Sequence, residues 1–398
     1  MPFRFKDYAL DIDRRELRRG SELIAVEPQV FDLLVYLIRN RDRVVSKDDL
    51  MEGVWGGRIV SESTLTSRIN AARRAIGDSG AEQALLKTIA RKGFRFVGDV
   101  DHDAVPAAAA TAPSGPQTQP LRQDIKFCTA SDGVRIAYAT VGSGPPLFKT
   151  ANWLNHLEYD WQSPIWSHLL RALASRRQLI RYDERGNGLS DWDVGDISFD
   201  AFVRDLESVV EANGLQKFAL LGISQGCAVS IAYAVRHPER VSHLILYGGY
   251  ARGRRRRGQP ATIEQTEALL TLMRQGWGQE NPAFRQIFTS MFIPEATAEQ
   301  ATWFNDLQRM TTSPENAARI REALDDLDVS GLLGDVRVPT LVLHCREDAV
   351  QPFEEGRRMA AGIPGSRFVA LDSRNHMILE HEPARTRLLE EITRFLET

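Results

Sequence analysis

A stretch that nearly lacks large apolar side chains, residues 101–123 (DHDAVPAAAATAPSGPQTQPLRQ), interrupts the 398-residue chain. It is rich in Ala, Pro, Ser, Thr and Gln, and a segment of that composition cannot bury enough apolar surface to form a core. Because the whole chain exceeds the length at which a single core stops growing, we expect two domains. They span residues 1–100 and 124–398, and residues 101–123 form a flexible linker between them.

The composition is that of a folded protein, with 43% hydrophobic and 26% charged residues. The three cysteines, Cys128, Cys227 and Cys345, have no paired spacing, so we expect reduced core side chains rather than a disulfide framework or a zinc site. The chain has no apolar signal region and no run of about 18 uncharged apolar residues. We therefore expect a cytoplasmic protein without membrane contact, and we assign it no metal and no cofactor.

Residues 1–100 mix short strand-like runs with helical periodicity, which predicts an α+β domain. In chain order, the pattern predicts strands at Arg4–Ile12 and Leu17–Val26, helices at Pro28–Asn40, Lys47–Trp55 and Glu62–Ile76, and a strand pair at Leu85–Ala90 and Phe94–Val97.

The helix predicted at Glu62–Ile76 has two unlike faces. Its apolar residues Leu65, Ile69, Ala72 and Ile76 recur at helical spacing and form one buried face. The other side carries short polar groups and cations, with arginines on its flanks: Ser63, Thr64, Thr66, Ser67, Arg68, Asn70, Arg73 and Arg74. Such polar groups can contact base edges in a major groove, and flanking arginines suit phosphates. A solvated helix face would show the same pattern, so from this helix alone both interpretations stand.

The N-terminal region as a whole resembles the OmpR/PhoB-type winged-helix family. The resemblance covers residues 3–98 and rests on FDLLVYLIRNRDRVVSKDDL, the turn VWGG, VSESTLTSRINAARRAIGD and TIARKGFRFVG. It implies that Glu62–Ile76 is the recognition helix, that Arg91 and Lys92 lie at the wing tip near the minor groove, and that the turn Gly56–Val60 faces RNA polymerase. It also implies promoter DNA as a partner and a homodimer, since members of this family often bind direct repeats as dimers.

Two features depart from the usual pattern of this family. The winged helix begins at residue 3, where the family usually carries a receiver domain first, so we expect an input other than aspartyl phosphorylation in the same chain. The wing reads Thr88-Ile89-Ala90-Arg91-Lys92-Gly93-Phe94 where the family often has T-V-R-G-x-G-Y, so its basic residue is displaced by one position. The displacement puts the usual position of the minor-groove contact in question.

After the linker, strand-like and helix-like segments alternate, which predicts a parallel sheet covered by helices. In one strand-turn-helix unit, FALLG runs into Gly222-Ile223-Ser224-Gln225-Gly226 and continues as CAVSIAYAVRH. This is the G-x-S-x-G pattern in the context it requires, where glycines permit a sharp turn that exposes the serine at the sheet edge. The helix N-terminus adds positive potential there. Ser224 is therefore a candidate nucleophile.

A nucleophilic serine needs a base, and the base needs an acid to orient it. Asp348 and His376 each come just past a strand-like run, which gives the chain order Ser, Asp, His. His381 competes for the role of base, but it falls where the last helix begins, so we assign the base to His376. His344 lies within a strand and is interpreted as a packing residue.

These residues, together with Asp183-Glu184-Arg185-Gly186-Asn187-Gly188-Leu189-Ser190, resemble the α/β-hydrolase family over residues 124–398. The resemblance implies an oxyanion hole formed by the backbone N–H groups of Gln225 and Trp153. The loop that carries Trp153 reads Ala151-Asn152-Trp153 where the family commonly has H-G-x, which puts the strength of that hole in question. Residues from about 251 to 335 look like the helical cap of the family, and their many large apolar side chains indicate an apolar or aromatic ligand.

Five arginines stand within six positions, at Arg252 and at Arg254 to Arg257. Such a run is usually a solvated loop. Contact with DNA phosphates and a partner interface are the alternatives, and the sequence does not decide among them.

The patterns together predict a multidomain α+β and α/β protein, in which a winged helix-turn-helix precedes an α/β-hydrolase fold with a helical cap. Three hypotheses on function stand. In the first, the C-terminal domain senses a small molecule for a DNA-binding transcriptional regulator. In the second, the chain is a serine esterase or amidase that its winged helix only localises or regulates. In the third, slow cleavage of the ligand resets the signal.

Overall fold

The computed structural model describes residues 3–12, 14–20, 22–24, 26–41, 43–55, 62–79, 82–89, 92–98, 100–102, 121–258 and 260–398. Contacts divide the chain into two compact units, Met1–Gln117 and Thr118–Thr398. Each unit has its own cluster of buried apolar side chains. We refer to them as the N-terminal unit and the C-terminal unit.

The N-terminal unit consists of an antiparallel sheet, three helices and a hairpin. Its elements are β1 (Phe3–Phe5), β2 (Tyr8–Asp11), β3 (Glu16–Arg19), β4 (Glu22–Ile24), α1 (Pro28–Arg39), α2 (Lys47–Trp55), α3 (Glu62–Ala75), β5 (Leu86–Ile89), β6 (Gly93–Phe96) and β7 (Asp101–His102). The strand order of the sheet is β4-β3-β2-β1-β7, and β5 pairs with β6. This arrangement of three helices followed by a hairpin is a winged helix.

The first two strands predicted from the sequence are in fact four shorter strands. Lys6, with a φ of 49°, lies in the turn between β1 and β2, and Gly20, with a φ of 56°, lies in the turn between β3 and β4. β7 falls among residues that the sequence assigned to the linker, and it pairs with β1. A two-residue edge strand is held by backbone hydrogen bonds, so it leaves no side-chain pattern from which it could be predicted.

Helix α3 is buried along the face that the sequence predicted. Leu65, Ile69, Ala72 and Ile76 are each at most 2% exposed. Just past the helix, the Asp78 carboxylate accepts hydrogen bonds from the backbone N–H groups of residues 79, 84, 85 and 86. Burial opposes the charged form of Asp78, but these hydrogen bonds outweigh it and lower its pKa. The connection from α3 to β5 is therefore fixed by one buried carboxylate.

The C-terminal unit is built on an eight-stranded sheet. Its strands are β8 (Asp124–Thr129), β9 (Arg135–Val141), β10 (Pro146–Lys149), β11 (Gln178–Tyr182), β12 (Phe218–Ile223), β13 (Val241–Tyr247), β14 (Thr340–Cys345) and β15 (Arg367–Leu371). Their order is β15-β14-β13-β12-β10-β11-β9-β8. The strands from β10 to β15 are parallel, whereas β9 runs antiparallel to both of its neighbours, β11 and β8. The carboxyl ends of β12, β14 and β15 therefore meet at one edge, where the loops after them can form a site.

Helices follow the strands, and four of them lie between β13 and β14. In chain order the helices are α4 (Leu157–Gln162), α5 (Ser167–Ala174), α6 (Phe199–Ala212), α7 (Gly226–Arg236), α8 (Pro260–Gly276), α9 (Ala283–Phe292), α10 (Ala298–Thr311), α11 (Pro314–Asp326), α12 (Phe353–Gly362) and α13 (Pro383–Leu396). Two 3-10 turns, Arg254–Arg257 and Ser330–Asp335, flank α8 to α11. We call α8 to α11 with these turns the cap.

All three cysteines are free, with Cys227 and Cys345 buried and Cys128 half-buried. In the ranges that the structure describes, no helix combines the length and the apolar character needed to cross a bilayer.

Candidate functional site

Ser224 stands at a strained turn between β12 and α7. Its φ of 54° lies in the left-handed region, which residues other than glycine seldom adopt. Its N–H donates to the Tyr247 carbonyl at 2.9 Å. A side chain at Gly222 would collide with the helix, since a Cβ there would lie 2.7 Å from the Cys227 Cα. The turn therefore requires this glycine and holds Ser224 at the carboxyl edge of the sheet.

Asp348 and His376 follow β14 and β15 and meet at this edge. The Nδ1 of His376 lies 2.6 Å from Oδ2 of Asp348, while Oδ1 accepts the backbone N–H groups of Val350 at 2.8 Å and Gln351 at 2.9 Å. Burial opposes ionisation of Asp348, but His376 and the backbone donors outweigh it, and the pKa is lowered. A carboxylate ionised at neutral pH therefore accepts a hydrogen bond from Nδ1–H of His376, which leaves Nε2 as the nitrogen with a free lone pair.

His376 is held by its backbone as well as by Asp348. The Tyr247 hydroxyl donates to the His376 carbonyl at 2.8 Å, and the His376 N–H donates to the Phe292 carbonyl at 2.9 Å. Its Nε2 is buried and makes no hydrogen bond within the described part of the chain, so the bond to the Ser224 hydroxyl is not formed in this state. Such bonds are often long before substrate binds.

The other two histidines near this edge take different positions. His344 is buried in β14, and its Nε2 lies 3.0 Å from the Gln351 carbonyl, as a packing residue would. His381 is exposed in the turn before α13. His376 is thus the histidine that hydrogen-bonds to Asp348, while Nε2 of His344 lies 3.8 Å from the same carboxylate oxygen. Across the described ranges, no group of three His, Cys, Asp or Glu side chains is placed to hold a metal ion.

The two N–H groups predicted for the oxyanion hole differ in their state. The Gln225 backbone N–H has no hydrogen-bond acceptor among the described residues. The Trp153 N–H, in contrast, donates to the side-chain oxygen of Gln225. The side-chain nitrogen of Gln225 in turn donates to both carboxyl oxygens of Glu184, each at 3.2 Å. One predicted donor is therefore occupied, and an oxyanion reaches it only after the Gln225 side chain moves.

Glu184, a residue of the Asp183–Ser190 motif to which the sequence patterns assign no role, carries a buried carboxyl group. Burial, together with the charge of Asp205, raises its pKa to about 8. The Asn187 side chain donates to it at 3.1 Å. Glu184 therefore holds the amide that covers the Trp153 N–H. Its position two residues past the buried strand β11, at the carboxyl edge of the sheet, is the signal that could have identified it.

Aromatic side chains of the cap lie against the site. Trp277 packs edge-on against Trp153 with ring centroids 5.9 Å apart, and Phe292 packs edge-on against His376 at 5.4 Å. Ser224 is 7% exposed and His376 is 1% exposed. The cap thus nearly closes the candidate site to solvent.

The outward side of α3 is described in part. Asn70 and Arg74 are exposed, as is Lys92 before β6. The Arg68 guanidinium pairs with Glu27, which directly precedes α1. Several predicted residues lie outside the described side chains or residues: Ser63, Thr64, Thr66, Ser67, Arg91 and the turn at 56–60.

Arg73 corrects one expectation about this helix. It is 5% exposed and donates to the Leu86 carbonyl at 3.1 and 2.9 Å and to the Thr88 hydroxyl at 2.8 Å. Its guanidinium therefore fastens α3 to the β5–β6 hairpin and is not on the flank that faces outward. Helical periodicity alone could not show that the hairpin covers this position.

Two family models match the chain. Residues 20–96 match the family described as transcriptional regulatory protein, C terminal, and residues 161–383 match the family described as alpha/beta hydrolase fold.

Curated relatives and solved structures match the C-terminal part. A putative carbamate hydrolase from Azorhizobium caulinodans is 28% identical over 244 residues, which cover 60% of this chain and 86% of that protein. An AB hydrolase superfamily protein from Bacillus subtilis is 26% identical over 256 residues, which cover 63% of this chain and 91% of that protein. The structure of an esterase from Exiguobacterium antarcticum matches with a TM-score of 0.59 and 26% identity, covering 68% of this chain and 99% of that one. The chain thus belongs to the alpha/beta hydrolase fold family and carries, before that domain, a winged-helix DNA-binding domain of the OmpR/PhoB type.

Proposed function

We propose that this chain is a transcriptional regulator whose C-terminal unit binds a small acyl compound and cleaves it at Ser224. The observation that carries the proposal is the Asp348–His376 pair, joined at 2.6 Å, at the same sheet edge as a serine in a strained strand-helix turn. Ester, amide and carbamate carbonyls are the groups that an activated serine attacks. Relatives named as a putative carbamate hydrolase and an esterase support this substrate class.

The reaction divides into acylation and deacylation. Nε2 of His376 takes the proton from Ser224 Oγ as Oγ bonds to the substrate carbonyl carbon, whose oxygen takes the negative charge. The Gln225 backbone N–H donates to that oxygen, and the Trp153 N–H joins it once the Gln225 side chain has moved. The leaving group departs with the proton from His376. Water then attacks the acyl-serine with His376 as base, which releases the acid and restores Ser224.

The contacts of the cap support the sensing part of the proposal. A ligand that occupies the site must displace Trp277 or Phe292 from its contact with Trp153 or His376. A ligand shifts a conformational equilibrium only as far as it binds one state better than the other, and here the open cap is the state it binds. The aromatic surroundings fit an apolar or aromatic compound. We propose that the cap, held open by the bound ligand, is the signal to the regulator. Cleavage of the ligand then ends that signal.

For the N-terminal unit, the proposed partner is promoter DNA. The exposed side chains of Asn70 and Arg74 support base contacts from α3 in a major groove. Lys92, which is exposed, and Arg68, once it leaves its ion pair with Glu27, are the proposed phosphate contacts. A homodimer on repeated half-sites and contact of residues 56–60 with RNA polymerase belong to the same proposal. With DNA as the partner, the proposed place of action is the cytoplasm.

Covalent labelling tests the chemistry. A fluorophosphonate probe is expected to modify the full-length wild type and to leave Ser224→Ala and His376→Ala unmodified. His381→Ala is the matched control, because that histidine is exposed in the turn before α13, and its labelling is expected to equal that of the wild type. A folded wild type that takes no label, or equal labelling of Ser224→Ala, would contradict the proposal.

A serine esterase or amidase that the winged helix only localises is the second candidate. It is favoured by the similarity of the C-terminal unit to hydrolases over 86% and 91% of their length. Both candidates predict labelling of Ser224. They differ in whether occupancy of the site changes the affinity for DNA.

A further inference from the structure

The arginine run between β13 and α8 divides into two sets. Arg255 pairs with Glu267 at 2.7 Å and with Asp326 at 2.9 Å, and Arg256 donates to the Asp326 carbonyl at 2.9 Å. Arg255 thus joins α8 to α11, and Arg256 contacts α11 alone. We call these two arginines the outer set. Only Arg256 of the whole run is exposed, so the run is not a solvated loop.

The other three arginines line a cavity of about 400 Å³, which we call the arginine pocket. Its charged lining consists of Arg252, Arg254, Arg257, Arg358, Glu354 and Glu355. Four cations and two carboxylates line the pocket. Glu355 pairs with Arg252 at 3.0 Å and lies 3.7 Å from Arg358, so the pocket keeps an excess of positive charge centred on Arg254 and Arg257. Its volume lies in the range of small-molecule sites.

Arg254 is the most buried of these cations and is poorly satisfied. Its side chain is nine-tenths buried, and its one hydrogen bond in the described structure joins Nη2 to the Val350 carbonyl at 3.3 Å. In addition, Nε of Arg252 is buried with no hydrogen-bond partner among the described residues, although its Nη2 donates to Glu355 at 3.0 Å. Burial lowers the pKa of Arg254 to about 9, and the nearby charge of Arg321 acts in the same direction. A buried guanidinium with unused donors is a site that an anion would stabilise.

We propose that the arginine pocket binds a small anionic compound through a carboxylate or phosphate group, held by Arg254 and Arg257 from the run and by Arg358 from α12. The guanidinium donors suit these planar or tetrahedral oxyanions because they offer several N–H groups in a fixed geometry. The pocket is separate from Ser224, and its occupancy requires no bond to be made or broken.

The floor of the pocket is the loop that fixes the proposed catalytic acid. Arg254 donates to the Val350 carbonyl and Arg257 donates to the Gln351 side chain at 2.6 Å. The N–H groups of Val350 and Gln351 are the donors to Asp348. A bound anion would therefore bind the same arginines that contact the loop after Asp348. Because of this shared contact, the pocket is placed to act as an effector site.

Titration calorimetry on the full-length chain tests the proposal with two probes, sodium malonate and sodium phosphate, at constant ionic strength set with sodium chloride. The wild type is expected to bind at least one probe saturably, and the preferred probe identifies a carboxylate or a phosphate as the ligand group. Arg254→Gln and Arg358→Gln are expected to weaken Kd about ten- to hundredfold, because each loses charge-assisted hydrogen bonds. Arg256→Gln, from the outer set, is the matched control and keeps the wild-type Kd.

Two outcomes would overturn the proposal. One is no saturable heat from either anion with the wild type, and the other is a loss of affinity in Arg256→Gln equal to that in Arg254→Gln. If Arg254→Gln does not fold, Arg358→Gln decides, since Arg358 is exposed on α12. Calorimetry measures anion binding without any reaction, so the outcome for the arginine pocket does not depend on whether Ser224 is labelled.

Discussion

Gln225→Ala removes the side-chain oxygen that accepts the Trp153 N–H and leaves the backbone N–H of position 225 in place. In the wild type, an oxyanion must displace that side chain before it gains its second donor. A hydrogen bond between neutral groups contributes about 0.5–1.5 kcal/mol net, so its removal is expected to lower the acylation barrier by that amount. Since about 1.4 kcal/mol corresponds to tenfold in rate, we expect labelling of Ser224 to be about 2- to 12-fold faster.

The assay is the second-order rate constant for fluorophosphonate labelling at pH 7 with the probe in excess. Thermal melting of each variant shows that its fold is kept. Gln275→Ala, at an exposed glutamine of α8, is the control and should label at the wild-type rate. A slower rate for Gln225→Ala would show that the amide assists the reaction, and an unchanged rate would show that it moves at no cost. Either result refutes the interpretation of Gln225 as a block on the oxyanion hole.

Three further predictions concern the acid, the buried carboxyl group and the DNA-facing helix. Asp348→Asn should slow labelling about 10⁴-fold, because the amide favours the wrong tautomer of the histidine; a loss below tenfold would argue against the assigned role. Glu184 has a pKa raised from 4.5 to about 8 in the folded state, so its contribution to stability is present below pH 4.5 and is lost as pH rises through 8. In denaturant unfolding between pH 4 and 9, the free energy of unfolding should fall less steeply with rising pH for Glu184→Gln than for the wild type. Identical pH dependence in the two proteins would contradict the raised pKa. Asn70→Ala and Arg74→Ala should each cost about 1–3 kcal/mol of specific DNA affinity in footprinting, whereas Arg73→Ala should instead lower the stability of the N-terminal unit by about 1–3 kcal/mol in thermal melts.

Chain order and local pattern suffice to bring the main residues of the candidate site together. G-x-S-x-G between an apolar strand and a helix locates Ser224, and the positions just past two strands locate Asp348 and His376. This works because parallel strands bring their carboxyl ends to one edge of the sheet. The buried face of α3 is predicted equally well, because a helix repeats its apolar residues at a spacing that can be counted.

Contacts between side chains distant in sequence lie beyond such patterns. Periodicity puts Arg73 on the flank of α3, but the hairpin that covers it begins 13 residues later at Leu86. The side-chain oxygen of Gln225 accepts a hydrogen bond from the N–H of Trp153, 72 residues earlier in the chain. No local sequence pattern predicts that contact. The arginine run is one motif in sequence, yet the 3-10 turn at Arg254–Arg257 directs its members to two different surroundings.

The most direct test of the regulatory proposal is whether occupancy of the active site changes the affinity for DNA. Fluorophosphonate-modified and unmodified full-length chain would be titrated by anisotropy against a fluorescent duplex, selected by the unmodified chain from a random-sequence pool. Ser224→Ala, treated with the same probe, controls for effects of the probe elsewhere. Couplings between sites are typically about 1–3 kcal/mol, so we predict a change in Kd of about 5- to 150-fold for the wild type and none for Ser224→Ala. Equal Kd values for modified and unmodified wild type would contradict the sensing role and favour a tethered hydrolase.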